Sequence, residues 1–372
     1  MGNGTNKAIK TTCTIGIVAE PYEEENASGL AYAILEQIQG LQTSDTRSEF
    51  IIYSTKPFKK DRLGAGSKNI LIPKSFFGKN IWFWKQEKEL LPGILIFNMP
   101  LLPFVLPKKI KTVPIFYELM YEAEGAGFLK GFLDIIRRIF VRMALDRAVK
   151  VVVPSQATYE DLQKKYLLSS DKIVLSAIGY RVFNGDPDKK VVPENPFFLY
   201  VGRIKDKKNV YRMVEAFCDF KDELKTNHVF LIAGKHGGVY TDKILALAEA
   251  RGYKNDIRFL GYVTDSELQA LYVHAQALVF CTIQEGFGMP VLEAMHIGTP
   301  VITSNKSSLF EIAHDAALCI SPEDTRAIAQ AMKDISSDRS LRDILVSKGK
   351  ERASLYSWQK HTQHLKDILE TL

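Results

Sequence analysis

Two carboxylates stand eight positions apart in "QEGFGMPVLEAM" (284–295), with Gly-Phe-Gly and a proline between them. Paired carboxylates suit acid–base cleavage of a glycosidic bond, and they suit equally two separate grips on one substrate. The preceding "ALVFC" reads as a buried strand, "TIQEGFGM" as the loop at its carboxyl end, and Pro290 as the first position of a helix. Glu285 is then a loop residue, and Glu293 lies on the first helical turn. Carboxylates so placed do not share a helical face and point to different parts of a ligand. Gly286 and Gly288 let the backbone approach that ligand with bare N–H groups, and a helix N-terminus favours negative charge. The plainer reading has Glu293 offsetting the helix dipole and the glycines making a turn; spacing alone does not separate the two.

A second constellation is "YVGRIKDKKNVYRMVEAF" (200–217), where Arg203 directly follows a strand and Lys208 precedes a helix. Arg and Lys converging on a strand end suit a diphosphate, a group whose departure needs charge stabilisation when no metal supplies it. A solvated basic turn is the competing reading, because Lys205, Lys207 and Arg212 are charged too. Near the N-terminus, "SGLAYAILEQI" puts Gly29 at a helix start, where backbone N–H groups face a phosphate without steric hindrance. A full GxGxxG and a GK[ST] are both missing, so neither a dinucleotide fingerprint nor a Walker loop is expected. "DPD" (186–188) falls in a turn-rich stretch and is read as a solvated turn. No metal and no cofactor are assigned.

These residues need a frame to hold them. Short apolar runs alternate with helix-period segments almost throughout, the mark of parallel sheets covered by helices on both faces. Expected strands in the first half are 13–20, 50–54, 94–97, 113–116, 150–154 and 172–177, with helices over 28–40, 127–148 and 156–166. A linker rich in Gly, Pro, Asn and Asp follows at 178–196. The second series comprises 197–202, 229–234, 257–261, 277–281, 300–303 and 317–320. Two consecutive doubly wound α/β domains follow from this pattern, with ligands expected beyond the carboxyl ends of the strands, in the cleft between the domains. A chain of 372 residues is long enough for two such cores.

Composition narrows the class further. With 46% apolar and 25% charged residues the chain reads as soluble and globular. The four cysteines are widely separated, which favours buried thiols over a disulfide framework or a zinc site. Leu90 to Pro107 is uncharged over eighteen residues, yet Pro92, Pro100, Pro103 and Pro107 interrupt it, so a transmembrane helix is not expected. The net charge of +6 lies wholly in residues 1–186, which hold 25 basic and 19 acidic residues. Solubility is its plainest meaning, an anionic surface or substrate the other.

"EGFGMPVLEAM" together with "GTPVITSNKSSLFEIAHDAAL" closely resembles the E-x7-E region of the retaining glycosyltransferases of family 4, in particular a subgroup with many mannosyltransferases. The likeness continues through "FLYVGRIKDKKN", "FLIAGKHGG", "IRFLGYVTDSELQALY" and "YSWQKHTQHLKDIL", covering essentially all of 197–372. The first half agrees more loosely, through "SGLAYAILEQI" and "VVPSQATYEDLQKKY". The resemblance implies a GT-B fold: two Rossmann-like parallel-sheet domains facing across a cleft. Residues 1–185 would form the acceptor-side domain and 186–355 the nucleotide-sugar domain, with 356–372 a helix packing back on the first. It also implies roles. Glu285 and the backbone of Gly286, Phe287 and Gly288 would hold the donor sugar's hydroxyls. Glu293 would take the ribose, Arg203 and Lys208 the diphosphate, the backbone near Val263 the base, and Gly29 the phosphates from the other domain.

One departure concerns the acceptor side. Many relatives carry His-Asp after the strand that here ends "VPIF", whereas this chain has Tyr117 and Glu118. These two can hydrogen-bond hydroxyls, but an imidazole role does not carry over. The implied activity is metal-independent transfer of a hexose, of mannose or glucose type, from a GDP- or UDP-linked sugar to a hydroxyl of a glycan or lipid-linked acceptor. A non-catalytic GT-B subunit that binds a nucleotide sugar or a partner glycosyltransferase is the alternative. No nucleic-acid partner is expected. The segment 127–150 combines helically spaced apolar residues with Lys130, Arg137, Arg138, Arg142 and Arg147. It suits a core helix with a solvated basic face, or peripheral contact with anionic lipid. A cytoplasmic location is the expectation.

Overall fold

The computed structural model describes residues 14–20, 29–58, 63–64, 67–86, 91–98, 106–117 and 128–372. Its first sheet contains β1 (Thr14–Val18), β2 (Glu49–Ser54), β3 (Lys68–Leu71), β4 (Ile94–Phe97) and β5 (Lys111–Pro114), all parallel, in the order β3-β2-β1-β4-β5. A bridge from Ile115 to Val152 continues it towards the parallel pair β6 (Val151–Val153) and β7 (Ile173–Leu175). The second sheet holds β8 (Phe197–Val201), β9 (Val229–Ala233), β10 (Ile257–Gly261), β11 (Ala277–Phe280), β12 (Val301–Ser304) and β13 (Leu318–Ile320). Its order is β10-β9-β8-β11-β12-β13. Its central strands "FFLYV", "VFLIA" and "ALVF" are almost wholly buried, as continuous apolar runs must be when helices cover both faces.

In the first half, α1 (Gly29–Ser44) covers one face of the sheet, while α2 (Phe76–Lys85) and α3 (Phe128–Arg147) cover the other. The alternation of side chains along β1 makes the division visible: Ile15 and Ile17 join the α1 core, and Val18 joins the core that contains Phe83 and Ala144. β3 and α2 were not among the expected elements. The short "KNIL" edge strand is half-exposed and carries no apolar run, and α2 owes its start to Ser75, whose Oγ accepts from the Gly78 N–H at 3.0 Å.

After α4 (Gln156–Tyr166) the chain enters the second half, whose helices are α5 (Val210–Leu224), α6 (Val239–Ala250), α7 (Asp265–His274), α8 (Met289–Ile297), α9 (Ser307–Ala313), α10 (Thr325–Ser337) and α11 (Arg339–Ser354). The last helix, α12 (Trp358–Glu370), returns to the first half. There Leu365, Ile368 and Leu369 enter the α1 core, Thr362 lies against Gly40, and Arg47 pairs with Glu370 at 2.8 Å. The crossing is tight at Gly179, where a Cβ would sit 2.4 Å from the Trp358 backbone nitrogen. Among the described residues no helix is long and apolar enough to cross a membrane.

Candidate functional site

In each sheet the strand order reverses beside its first strand, between β1 and β4 and between β8 and β11. Such switch points open a crevice at the carboxyl ends of the strands, the usual ligand position in doubly wound sheets. In the second sheet the crevice lies between the loops that follow β8 and β11. Arg203 is exposed at the start of the first loop, and Lys208 ends a single 3-10 turn ahead of α5. Glu285 sits in the second loop, and its carboxylate pairs with the Lys208 ammonium, both side chains being about five-sixths buried. The geometry therefore joins two residues that lie 77 positions apart.

The sequence reading missed the residue that holds Lys208 there. Asn209 is buried in a left-handed conformation (φ 59°), and its Nδ2 donates to the carbonyls of Cys281 at 2.9 Å and Pro322 at 2.6 Å. This ties the start of α5 to the end of β11. Asn is among the few side-chain-bearing residues that adopt this backbone readily, which was the available signal. The adjoining turn after β9 is equally tight: a Cβ on Gly234 would stand 2.2 Å from the Gly202 carbonyl oxygen.

The "EGFG" loop is fixed through its carbonyls. Ser307 and Ser308 each donate to the Glu285 carbonyl at 2.8 Å, and Ser308 also reaches that of Phe287 at 2.9 Å. Ser155 donates to the Gly286 carbonyl at 2.9 Å, and Thr158 to the same atom at 3.3 Å. Both are on the first half of the chain, at the head of α4. The Gln156 N–H there donates to the Glu311 carboxylate from α9 at 2.8 Å and 3.0 Å. The two halves are thus bonded across the cleft beside the loop. The Phe287 ring is buried edge-on to Tyr356 at 5.8 Å and belongs to the core. Of the two glycines, Gly288 alone has a positive φ, +116°; the carbonyl of Gly286 is what the structure uses.

Glu293 lies beyond the first turn of α8, which carries no acidic residue. The helix-dipole contact of the plainer reading is therefore not made, and the carboxylate has a different environment. The carboxylate is buried and accepts from the Tyr272 hydroxyl at 2.9 Å. Burial raises its pKa, while the Arg181 guanidinium, the Tyr272 hydroxyl and the Arg181 backbone N–H oppose the rise. Arg181, from the linker, was not singled out by its sequence context. It pairs with Asp265 at 2.6 Å and stacks over the Tyr32 ring of α1 at 4.9 Å.

The remaining expected positions surround this crevice. Gly29 opens α1, and a Cβ there would meet the Met289 methyl at 2.8 Å, so the heads of α1 and α8 abut. Val263 is half-buried against the main core, one residue before Thr264 caps α7. On the facing sheet Tyr117 follows β5, with its hydroxyl 3.5 Å from Asn98 Oδ1 at the end of β4, and burial pushes its pKa well above the ordinary tyrosine range. Glu118 lies outside the described residues.

Comparison with solved structures settles the architecture. A sucrose-phosphate synthase from Thermosynechococcus elongatus superposes with a TM-score of 0.77 over 96% of this chain and 98% of that one, at 18% identity. Anabaena HepE, solved with UDP and glucose, gives 0.76 over 97% and 100%, at 14% identity. The fold is GT-B. In sequence, residues 184–352 of this GT-B chain match the family model "Glycosyl transferases group 1". The chain is also 35% identical over 167 residues to O-antigen chain mannosyltransferase B of Escherichia coli, a match that spans 45% of this chain and 43% of that protein. The chain thus spans less than half the length of that curated relative. The family-model match lies on the half that carries Arg203, Lys208, Glu285 and Glu293.

Proposed function

We propose that this chain is a retaining, metal-independent glycosyltransferase that moves a hexose from a GDP- or UDP-linked sugar to a hydroxyl of a glycan or lipid-linked acceptor. The observation that carries the reading is the convergence of Lys208 and Glu285 at the β8/β11 switch point, beside exposed Arg203. The similarity to mannosyltransferase B and to a GT-B structure solved with UDP and glucose supports it. In this reading Lys208 exchanges Glu285 for diphosphate oxygens when donor binds, and Glu285 turns to the sugar hydroxyls. Arg203 and Lys208 then offset the charge that develops on the departing diphosphate. Glu293 accepts from the ribose hydroxyls, the backbone near Val263 meets the base, and the head of α1 at Gly29 approaches the phosphates from the opposite domain. The "EGFG" backbone lines the sugar, with its carbonyls already anchored by Ser155, Ser307 and Ser308. The acceptor enters past Tyr117 and Glu118. The domain division proposed is 1–185, 186–355 and the returning helix within 356–372.

A lipid-linked acceptor fits the outer face of the first domain. α3 exposes Ile135, Ile139 and Met143 at four-residue spacing beside exposed Arg138 and Arg142, and α2 exposes Ile81 and Trp84 beside Lys85. The two helices share one core beneath the sheet. We place this face against the anionic cytoplasmic side of a membrane.

The test is transfer by the purified chain from radiolabelled GDP-mannose, UDP-glucose and related donors to a panel of glycan and lipid-linked acceptors. Arg203→Ala and Lys208→Ala should each abolish transfer without unfolding the protein, and EDTA should leave the wild type unchanged. Near-wild-type turnover in both variants would sink the assigned roles. Donor binding without any product would favour a non-catalytic subunit.

A further inference from the structure

The linker residue Arg181 has no part in the mechanism above, yet it sits where both chain passages cross between the domains. It lines a cavity of about 460 Å³ with Tyr32, Glu36, Asp265, Ser357 and Trp358. Its side chain is only 14% exposed, and a buried guanidinium is costly unless its environment uses the charge. Asp265 compensates from one side, but that carboxylate is 65% exposed and water serves it well. On the other side lies the carboxylate of Glu293, which accepts from the Tyr272 hydroxyl and from the Arg181 backbone N–H, so its hydrogen-bond partners come from two elements, α7 and the linker, with Asp265 at the head of α7 as a neighbouring like charge. Tyr32 of α1 takes the face of the guanidinium, and its own ring meets Trp358 edge-on at 6.2 Å. The Arg181 Nε is buried and has no partner among the described residues.

We infer that Arg181 is a positioning residue for donor binding, holding the Glu293 carboxylate as an acceptor for ribose hydroxyls and linking that acceptor to α1 through Tyr32. The inference rests on the donor site proposed above. An ionised carboxylate accepts at both oxygens, whereas a protonated one surrenders part of that capacity. Burial drives Glu293 towards the protonated form, and Asp265 adds to that drive. The Tyr272 hydroxyl, already donated to one oxygen, offsets part of it. The Arg181 guanidinium is the cation that opposes the rise, and its backbone N–H adds to that effect. Without it, Glu293 takes up a proton at higher pH, and the ribose loses an acceptor.

The experiment compares wild type, Arg181→Met and Arg181→Lys. UDP and GDP affinities are measured by calorimetry from about pH 5.5 to 8.5, alongside melting temperatures of the ligand-free proteins. Arg181→Met should weaken the nucleotide that wild type binds by about tenfold at neutral pH. Its acid-side loss of affinity should begin about one pH unit higher than in wild type. Arg181→Lys should restore most of both. The ligand-free proteins carry the same signature. A carboxyl whose folded pKa is raised destabilises the fold as pH climbs through that pKa, so the melting-temperature deficit of Arg181→Met should shrink on acidification. Terms common to both proteins cancel in that difference. A deficit and an affinity ratio that stay flat with pH, or a Lys variant no better than Met, would overturn the inference while leaving the donor site intact. If wild type binds neither nucleotide at any pH, the donor-site reading itself falls, and this inference with it.

Discussion

Gly288 offers a direct measure of how strictly the loop geometry is set. Its φ of +116° and ψ of 45° lie where a side chain is strained, at a cost of about 1–2 kcal/mol for an L-residue. A Cβ there would also stand 2.5 Å from Leu309 Cδ2. Leu309 is fully buried, so it has no open space to swing into, and such overpacking costs about 1–3 kcal/mol. Gly288→Ala should therefore destabilise the second domain by about 2–5 kcal/mol. Urea unfolding followed by circular dichroism, with hydrogen exchange of the α8 amides, gives the value. The clash term is separable. Leu309→Ala alone should cost about 2–5 kcal/mol, and in combination with Gly288→Ala the total should fall short of the sum by about 1–3 kcal/mol. The backbone term should survive in the double variant. A Gly288→Ala protein within about 0.5 kcal/mol of wild type, or strict additivity of the two changes, would refute the reasoning.

Two further outcomes are expected. His361 is buried in α12, with its Nδ1 2.9 Å from Ser176 Oγ, and burial lowers its pKa to about 4. The unfolded chain then binds the extra proton between about pH 6.5 and 4, so up to about 3 kcal/mol of stability should be lost across that window on acidification; His361→Gln should flatten the stability profile, and an unchanged slope would exclude His361 as the source. In vesicle flotation the wild type should rise with anionic but not with neutral lipid, and Ile135→Ser/Ile139→Ser should stay with the soluble fraction; equal flotation with both lipids would remove the proposed membrane face.

The sequence by itself determined the repeating strand–helix scheme and most of the strands, because a strand covered on both faces must be apolar along its whole length. "FFLYV", "VFLIA" and "ALVF" leave little choice of state. It also marked the strand-end positions of Arg203, Lys208 and Glu285, since turn residues and proline signal where a strand stops. Edge strand β3 escaped notice for the converse reason: half-exposed, and opening on Lys68 and Asn69, it has no such pattern. Only the tertiary structure decided which distant groups meet. The strand order places the loops of β8 and β11 side by side, so that Lys208 reaches Glu285, and no periodicity encodes that adjacency. The same holds for Ser155 bonding Gly286 across the cleft and for Arg181 between Tyr32 and Glu293, where a linker residue with an ordinary sequence context gains its surroundings from α1, α7 and α8. Local pattern follows from burial along one element; a site made by several elements follows from how they cross.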